Sequence, residues 1–429
     1  MSTTTSRSQL ALLGGTRAIP EGMEKPWPVI TDDDKRAVMS VLDRGVLWGA
    51  GAPEVSALQK EWAAYVGTAH CLATNSGTAA LHMCVAALGI GPGDEVITTP
   101  LSWTSTATCI LHHNAIPVFA DIEPEGYLLD PRTIEAKITP RTKAILVVHL
   151  YGLPADMDGI MEVARRHNLF VIEDCCQAHA AEYKGRKVGT FGQVAAFSLN
   201  GSKNLQSGEG GLFVTNDENL WQEAARVQQF GEARRRDGAR EYNAYGMGWM
   251  YRTSEMPAAL ARSQLRRLDE WTDMIRDNAH YLSRGLKGLK GFRLPFEPSE
   301  RKHVFWRYNL RLAPEEIGYD GSHRFFLNRV RAALGAEGVA LGRAEFVIPM
   351  MTLFQERRGY GLGCPWTCGH YAGMVEYKAE DFPVAMDGID RIVGISGIKP
   401  PNGHDLMDMQ VEAIHKVHGQ LDALLAAQI

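Results

Sequence analysis

The sequence predicts an α/β chain, with a mainly parallel sheet between helical layers and a smaller α+β domain after it. Two observations carry this reading. Strand-length apolar runs at residues 95–100, 117–122, 144–150, 169–174, 194–200 and 210–215 alternate with helical stretches between about residues 56 and 248. Beyond them the pattern changes to a long helical stretch at 254–290, a strand-like run at 303–312, a helix at 322–336 and an amphipathic helix at 404–427. The expected organisation is an entry arm at 1–50, a large domain at 51–290 and a small domain at 291–429.

Length agrees, since 429 residues exceed what one core usually fills. A hydrophobic content of 45% with 22% charged residues lies in the ordinary soluble range. The net charge is 45 minus 50, or −5, and no basic stripe is present; Arg234-Arg-Arg236 and Arg266-Arg267 read as solvated helix charges. Nucleic acid and membrane surfaces are therefore not expected partners. No apolar stretch approaches the roughly eighteen residues of a membrane span, and Met1-Ser-Thr-Thr-Thr-Ser-Arg-Ser lacks a signal-peptide core, so a cytoplasmic location is expected. Seven scattered cysteines read as reduced thiols. Cys364-Pro-Trp-Thr-Cys368-Gly-His370 offers three ligand types and no second cluster, which favours an ordered loop over a metal site. The surrounding residues 357–374, rich in Gly, Trp and Cys, are expected near a substrate mouth.

Four segments carry chemistry. Cys71-Leu-Ala-Thr-Asn75-Ser76-Gly77-Thr78 is a small-residue turn opening a helix that runs to about Leu88. Free N–H groups and the positive helix end suit an anion there, although such turns are also plain N-caps. The strand from Glu95 is followed by Trp103, an aromatic able to lie on a planar ring or simply to join the core. Leu169-Phe-Val-Ile-Glu-Asp174 delivers a carboxylate at the end of a buried strand, where open α/β sheets place ligands. Phe197-Ser-Leu-Asn-Gly-Ser-Lys203 empties a strand into a Gly-rich loop ending at Gly211. A lysine buried in such a loop is a Schiff-base candidate, whereas the ordinary lysine is a surface charge. Lysine for a Schiff base and an acid for a pyridinium nitrogen are together what pyridoxal 5′-phosphate requires.

In this order the segments resemble the DegT/DnrJ/EryC1/StrS family of pyridoxal-phosphate-dependent, fold-type I sugar and aminocyclitol aminotransferases. The resemblance extends from Leu10-Ala-Leu-Leu-Gly-Gly15 through Gly91-Pro-Gly-Asp-Glu-Val96, His149-Leu-Tyr-Gly-Leu-Pro154 and Tyr251-Arg-Thr-Ser-Glu255 to Asp381-Phe-Pro-Val-Ala385. It implies Lys203 and Asp174 as catalytic residues, with Lys203 holding the cofactor and Asp174 facing its ring nitrogen. Gln177 is implied at the ring hydroxyl, Trp103 on the ring face, and Gly77, Thr78 and Ser198 at the phosphate. It further implies a homodimer, L-glutamate or L-glutamine as amino donor, and a keto-sugar or keto-cyclitol acceptor in natural-product or amino-sugar biosynthesis.

Two departures stand out. Many relatives carry an asparagine before the Tyr-Arg motif, from which the partner subunit reaches the phosphate; here Met250 stands there and Arg252 is the nearest replacement. The lysine loop reads Leu-Asn-Gly-Ser in place of the more usual aromatic, Gln or His-Pro combinations, which leaves the acceptor class open. Trp48, Tyr151 and His179 are candidates for the hydrogen-bonding wall a polyhydroxylated acceptor needs. Elimination chemistry on the same scaffold, and a non-catalytic regulatory protein, are the alternatives; the presence of both Lys203 and Asp174 favours transamination.

Overall fold

The computed structural model of the chain describes residues 9–49, 51–233, 241–343, 345–361, 363–371 and 373–427; residues 1–8 and the Arg234-Arg-Arg236 run lie outside them. Seven strands build the main sheet: β1 (His70–Thr74), β2 (Glu95–Thr98), β3 (Ile116–Phe119), β4 (Thr142–Val148), β5 (Phe170–Asp174), β6 (Val194–Ser198) and β7 (Gly211–Thr215). Their order is β1-β7-β6-β5-β4-β2-β3. Neighbours from β6 to β3 run parallel, and β7 alone is antiparallel to the strands beside it. The expected strands are all present, while β1 had been legible only as the lead-in to the Asn75 turn.

Side-chain alternation divides this sheet into two faces. Cys71, Ala73, Ala195, Phe197, Leu212 and Val214 join one apolar cluster, with Leu58 and Trp62 of helix α2 (Pro53–Val66). Leu72, Ala196 and Phe213 turn to the other face, where Leu81, Met83 and Val85 of helix α3 (Gly77–Ala87) cover them. Both faces are therefore dry, and the parallel strands end together on one edge, at Thr98, Phe119, Val148, Asp174 and Ser198.

A second sheet, β8 (Phe292–Arg293), β9 (Tyr308–Leu312) and β10 (Ile392–Ile395), is antiparallel in the order β8-β9-β10. Its cluster contains Tyr308, Phe326, Met407 and Ile414, and it also takes Leu10, Ile19, Ile275 and Leu282. Val347, Ile348, Phe354 and Trp366 pack instead with the main sheet. The two cores thus exchange segments across residue 290, because the chain crosses back over the main sheet after β9.

The expected helix at 254–290 is broken into Glu255–Leu265 and Leu268–Leu286. Arg267, at the break, is not a solvated charge: its guanidinium donates to both carboxylate oxygens of buried Asp34 (2.8 and 2.9 Å) and lies over Trp271. Asp34 and Thr31 form the capping box of helix α1 (Asp32–Arg44), so this contact fastens the entry arm to the body.

The described part of the 357–374 loop packs at the far edge of the sheet, where Tyr371 donates to Glu95, the first residue of β2 (2.9 Å). In this chain it does not border the strand ends. Among the described residues one grouping has metal-ligand geometry, His149, Glu173 and Cys175, and it is already satisfied. His149 Nδ1 accepts the Ala155 N–H (3.0 Å), so its proton sits on Nε2 and points to Glu173 (3.1 Å). Glu173 also accepts backbone N–H groups of Gly189, Phe191 and Gly192, each at 2.7 Å. Among the described residues no helix is long and apolar enough to cross a membrane.

Candidate active site

Beyond Ser198 the chain folds back on itself through Leu199 N–H to Gly210 O and Gly201 N–H to Gly208 O, both 2.8 Å. Gly208 has φ +85°, the left-handed conformation that glycine adopts without penalty. This hairpin-like loop lifts Lys203 over the strand ends. Ser202 O accepts Lys399 Nζ (2.7 Å) and Trp306 Nε1 (2.9 Å), while Lys203 O accepts Trp27 Nε1 (3.1 Å), so the loop is held from three sides. Lys203 Nζ sits 4.2 Å from the centre of the Trp306 ring. Burial draws its amine below the ordinary value, with Cys176 and Asp174 opposing and Arg307 and Arg343 assisting.

Asp174 faces the same cavity from the end of β5. Strand alternation sends Glu173 into the core and Asp174 to the site, where only 4% of the residue is exposed. Its Oδ2 accepts Thr106 Oγ1 (2.8 Å) and its Oδ1 accepts the Cys176 N–H (3.1 Å). Gln177 Oε1 accepts the Tyr151 N–H (2.8 Å), leaving its amide nitrogen as the free donor. Tyr151 has φ +58°, a conformation rare for a side chain of this size and held here by that contact.

At the third corner stands the start of α3. Ser76 Oγ accepts the Ala79 N–H (3.1 Å) and Thr78 Oγ1 lies 2.7 Å from Ser105 Oγ. A Cβ on Gly77 would fall 2.7 Å from Ser198 Cβ and 3.0 Å from Cys176 Sγ. Glycine is required for that close approach, and the helix end with two hydroxyls makes an anion cradle. These groups enclose a cavity of about 370 Å³, whose lining includes Trp103, Trp306, Arg307, Arg343, Glu345 and Phe346. Trp103 is half exposed, with the Arg343 guanidinium 4.7 Å over its ring.

A sequence profile of the DegT/DnrJ/EryC1/StrS aminotransferase family matches residues 28–335. The chain belongs to this family. The aminotransferase is 36% identical over 404 residues to the L-glutamine:2-deoxy-scyllo-inosose aminotransferase of Streptomyces lividus, covering 90% of this chain and 91% of that one. It is 40% identical over 287 residues to the GDP-perosamine synthase of Caulobacter vibrioides, covering 66% of this chain and 76% of that one. Among solved structures, S. venezuelae DesV in complex with a ketimine intermediate superposes with a TM-score of 0.77 at 30% identity, over 91% of this chain and 95% of that one. The aminotransferase is thus a pyridoxal-phosphate-dependent enzyme of fold type I.

Of the expected site residues, Lys203, Asp174, Gly77, Thr78, Trp103, Gln177, Ser198 and Tyr151 come together around this one cavity. Three do not. Trp48 is 65% exposed and outside it. His179 is fully buried between Trp62 and Phe197 (5.8 and 5.6 Å), and burial, with Lys203 and Lys399 nearby, pushes it down to about 3, so it is a neutral core ring. Arg252 lies over Phe230 (5.4 Å) on a segment bridged to Thr74, the residue before the cradle turn. Glu255, three residues further on and the nearest acid in sequence, is engaged elsewhere, accepting the Val55 and Glu54 N–H groups (2.9 and 3.1 Å) at the start of α2.

Sequence reading missed Thr106, Trp306, Arg307, Arg343 and Glu345. Thr106 had a signal, a hydroxyl within reach of the Trp103 turn. The others come from the approach to β9 and the segment after it, and reach the cavity only through the tertiary fold.

Proposed function

We propose that the cavity binds pyridoxal 5′-phosphate and that the enzyme moves an amino group from L-glutamine or L-glutamate to a keto-cyclitol or keto-sugar. The observation that carries this is the convergence of Lys203, Asp174 and the Gly77 cradle on one cavity. The residues present fit the group: the cradle admits no side chain at Gly77, Asp174 offers a buried acceptor, and Gln177 a directed donor. When bound, the cofactor would supply a ring that acts as electron sink and an aldehyde carbon that carries the amino group from donor to acceptor.

The protein's own residues divide the remaining work. Ser198, Thr78 and the first N–H groups of α3 bind the phosphate. Asp174, oriented by Thr106, holds a proton at the ring nitrogen, and Gln177 donates to the ring hydroxyl. Trp103 covers the ring. Lys203 holds the cofactor and then, as the base, takes the proton from the donor's α-carbon, a task that suits an amine drawn down in pKa. The acceptor reading rests on relatives named for cyclitol and nucleotide-sugar products, and on a lining in which Tyr151 is part of the wall.

A homodimer belongs to the same reading. Trp48, Met247 and Met250 are 65%, 79% and 52% exposed, an apolar surface that a second copy would cover. Arg252, on the segment beside the cradle turn, would reach the partner's phosphate or substrate. Mixing Lys203→Ala with Arg252→Ala subunits tests this: activity returns if Arg252 acts across the interface, and its failure to return in proven mixed dimers excludes it. The activity itself is tested by adding L-glutamine or L-glutamate to the yellow holoenzyme and following loss of its visible cofactor absorbance. 2-Deoxy-scyllo-inosose and nucleotide keto-sugars are then compared for its restoration.

A further inference from the structure

Arg307 and Glu345 form an ion pair in the cavity wall, with Arg307 Nη1 2.6 Å from Glu345 Oε1 and side chains only 19% and 13% exposed. The plane of the guanidinium is fixed by the rings of Trp306 (4.8 Å) and Tyr151 (6.0 Å). Such a pair uses one N–H and one oxygen on each other. A guanidinium has five N–H donors and a carboxylate two oxygens, so the pair still presents a donor edge beside an acceptor. That pattern complements a primary carboxamide, whose C=O accepts and whose NH₂ donates. Burial already pushes the Glu345 carboxyl above its ordinary value, so a second carboxylate in the same place could meet it only by taking up a proton, a cost the carboxamide does not incur.

The second guanidinium of the cavity is placed differently. Arg343 is exposed, lies over Trp103 at the mouth, and among the described residues makes no ion pair, although its charge is felt by Glu345. It is the cation available to an amino acid's α-carboxylate, whereas Arg307 is already neutralised.

We propose that the Arg307–Glu345 pair is the donor-specificity element of this enzyme, reading the side-chain carboxamide of L-glutamine and rejecting the carboxylate of L-glutamate. This rests on the aminotransferase reading above, and takes it from two donors to one. Glu345 is a specificity-determining residue, and its carboxylate takes no part in moving the α-proton.

The test compares two ligands that lack an amine and so only bind. Glutaramate keeps the carboxamide and one carboxylate; glutarate has two carboxylates. Binding to the holoenzyme is read from quenching of tryptophan fluorescence, since Trp103 and Trp306 line the cavity. Glutaramate should bind at least roughly tenfold more tightly than glutarate, the scale of a hydrogen-bonding mismatch in a polar pocket. Glu345→Gln keeps the shape, removes the charge, and should bring the two within about threefold, mainly by improving glutarate. Single-turnover rates with L-glutamine and L-glutamate should shift in the same sense. Equal binding by the unaltered protein, or an unchanged ratio in Glu345→Gln, overturns the proposal; the first of these needs no variant to fold. If neither amino acid bleaches the holoenzyme, the aminotransferase reading fails. If both do so equally, only the donor assignment fails.

Discussion

The floor and the roof of the cavity are built in different ways. The floor consists of Gly77, Asp174, Gln177, Ser198 and Lys203, each at the end of a main-sheet strand or in the turn that follows it. Asp174 is held between Thr106 and the Cys176 N–H, and Gln177 by the Tyr151 N–H. The roof consists of Trp306, Arg307, Arg343, Glu345 and Phe346, from the approach to β9 and the segment that crosses back to the main core. Arg307 binds Glu345 within it, while Trp306 Nε1 reaches down to Ser202 O and Arg343 lies over Trp103. On the proposed function, cofactor chemistry would be set by the strand ends, and substrate choice by side chains that can be exchanged without disturbing the sheet.

The sharpest break should come from the floor. Lys203→Ala should fold and retain cofactor non-covalently, yet lose turnover by at least about 10⁴-fold, because both the covalent link and the base are removed. Steady-state turnover with L-glutamine and the best acceptor measures this, and a loss under about tenfold would return Lys203 to the status of a positioning residue. Asp174→Asn should follow, with donor single-turnover rates reduced roughly 10²- to 10³-fold, since an amide does not hold the ring-nitrogen proton. Near-normal rates would make Asp174 a structural acceptor for Thr106 alone.

Gly77→Ala addresses binding. The new Cβ would press on Ser198 and Cys176. We expect cofactor affinity to fall about 10- to 100-fold by equilibrium dialysis, corresponding to roughly 1–3 kcal/mol of overpacking. Unchanged affinity would place the phosphate elsewhere.

The smallest effect concerns stability. Burial lowers the Lys203 amine below its ordinary 10.5, so between that lowered value and 10.5 the unfolded chain binds more protons than the folded one. Stability of the cofactor-free protein therefore rises with pH through that window, and the cost of the buried charge is complete below it. Lys203→Met should raise the thermal midpoint by about 1–3 °C at neutral pH, with the gain shrinking as pH approaches 10.5. A gain independent of pH would assign the effect to packing.

The same contrast explains what was legible. Lys203, Asp174 and the Gly77 turn were readable because each chemical group lies within a few residues of the strand end that positions it. The sheet was readable for the same reason, through apolar runs of strand length. His179 was misplaced because it follows Asp174 and Gln177 in sequence, yet two further residues carry it behind the site into the aromatic core. Arg267 was taken for a surface charge because its partner Asp34 is 233 residues away. Arg307, Arg343 and Glu345 left no local mark, since a cavity wall assembled from separate segments exists only after the second sheet has docked.

The central claim is that Lys203 is the residue that holds the cofactor, and borohydride reduction of the holoenzyme followed by peptide mass mapping tests it most directly. Reduction makes the lysine–cofactor bond permanent. The account predicts a single pyridoxyl-modified peptide containing Lys203. Lys399, whose amine is also drawn well down by burial and by Lys203 beside it, is the built-in competitor. A pyridoxyl group on Lys399, or on any lysine other than Lys203, would contradict the account.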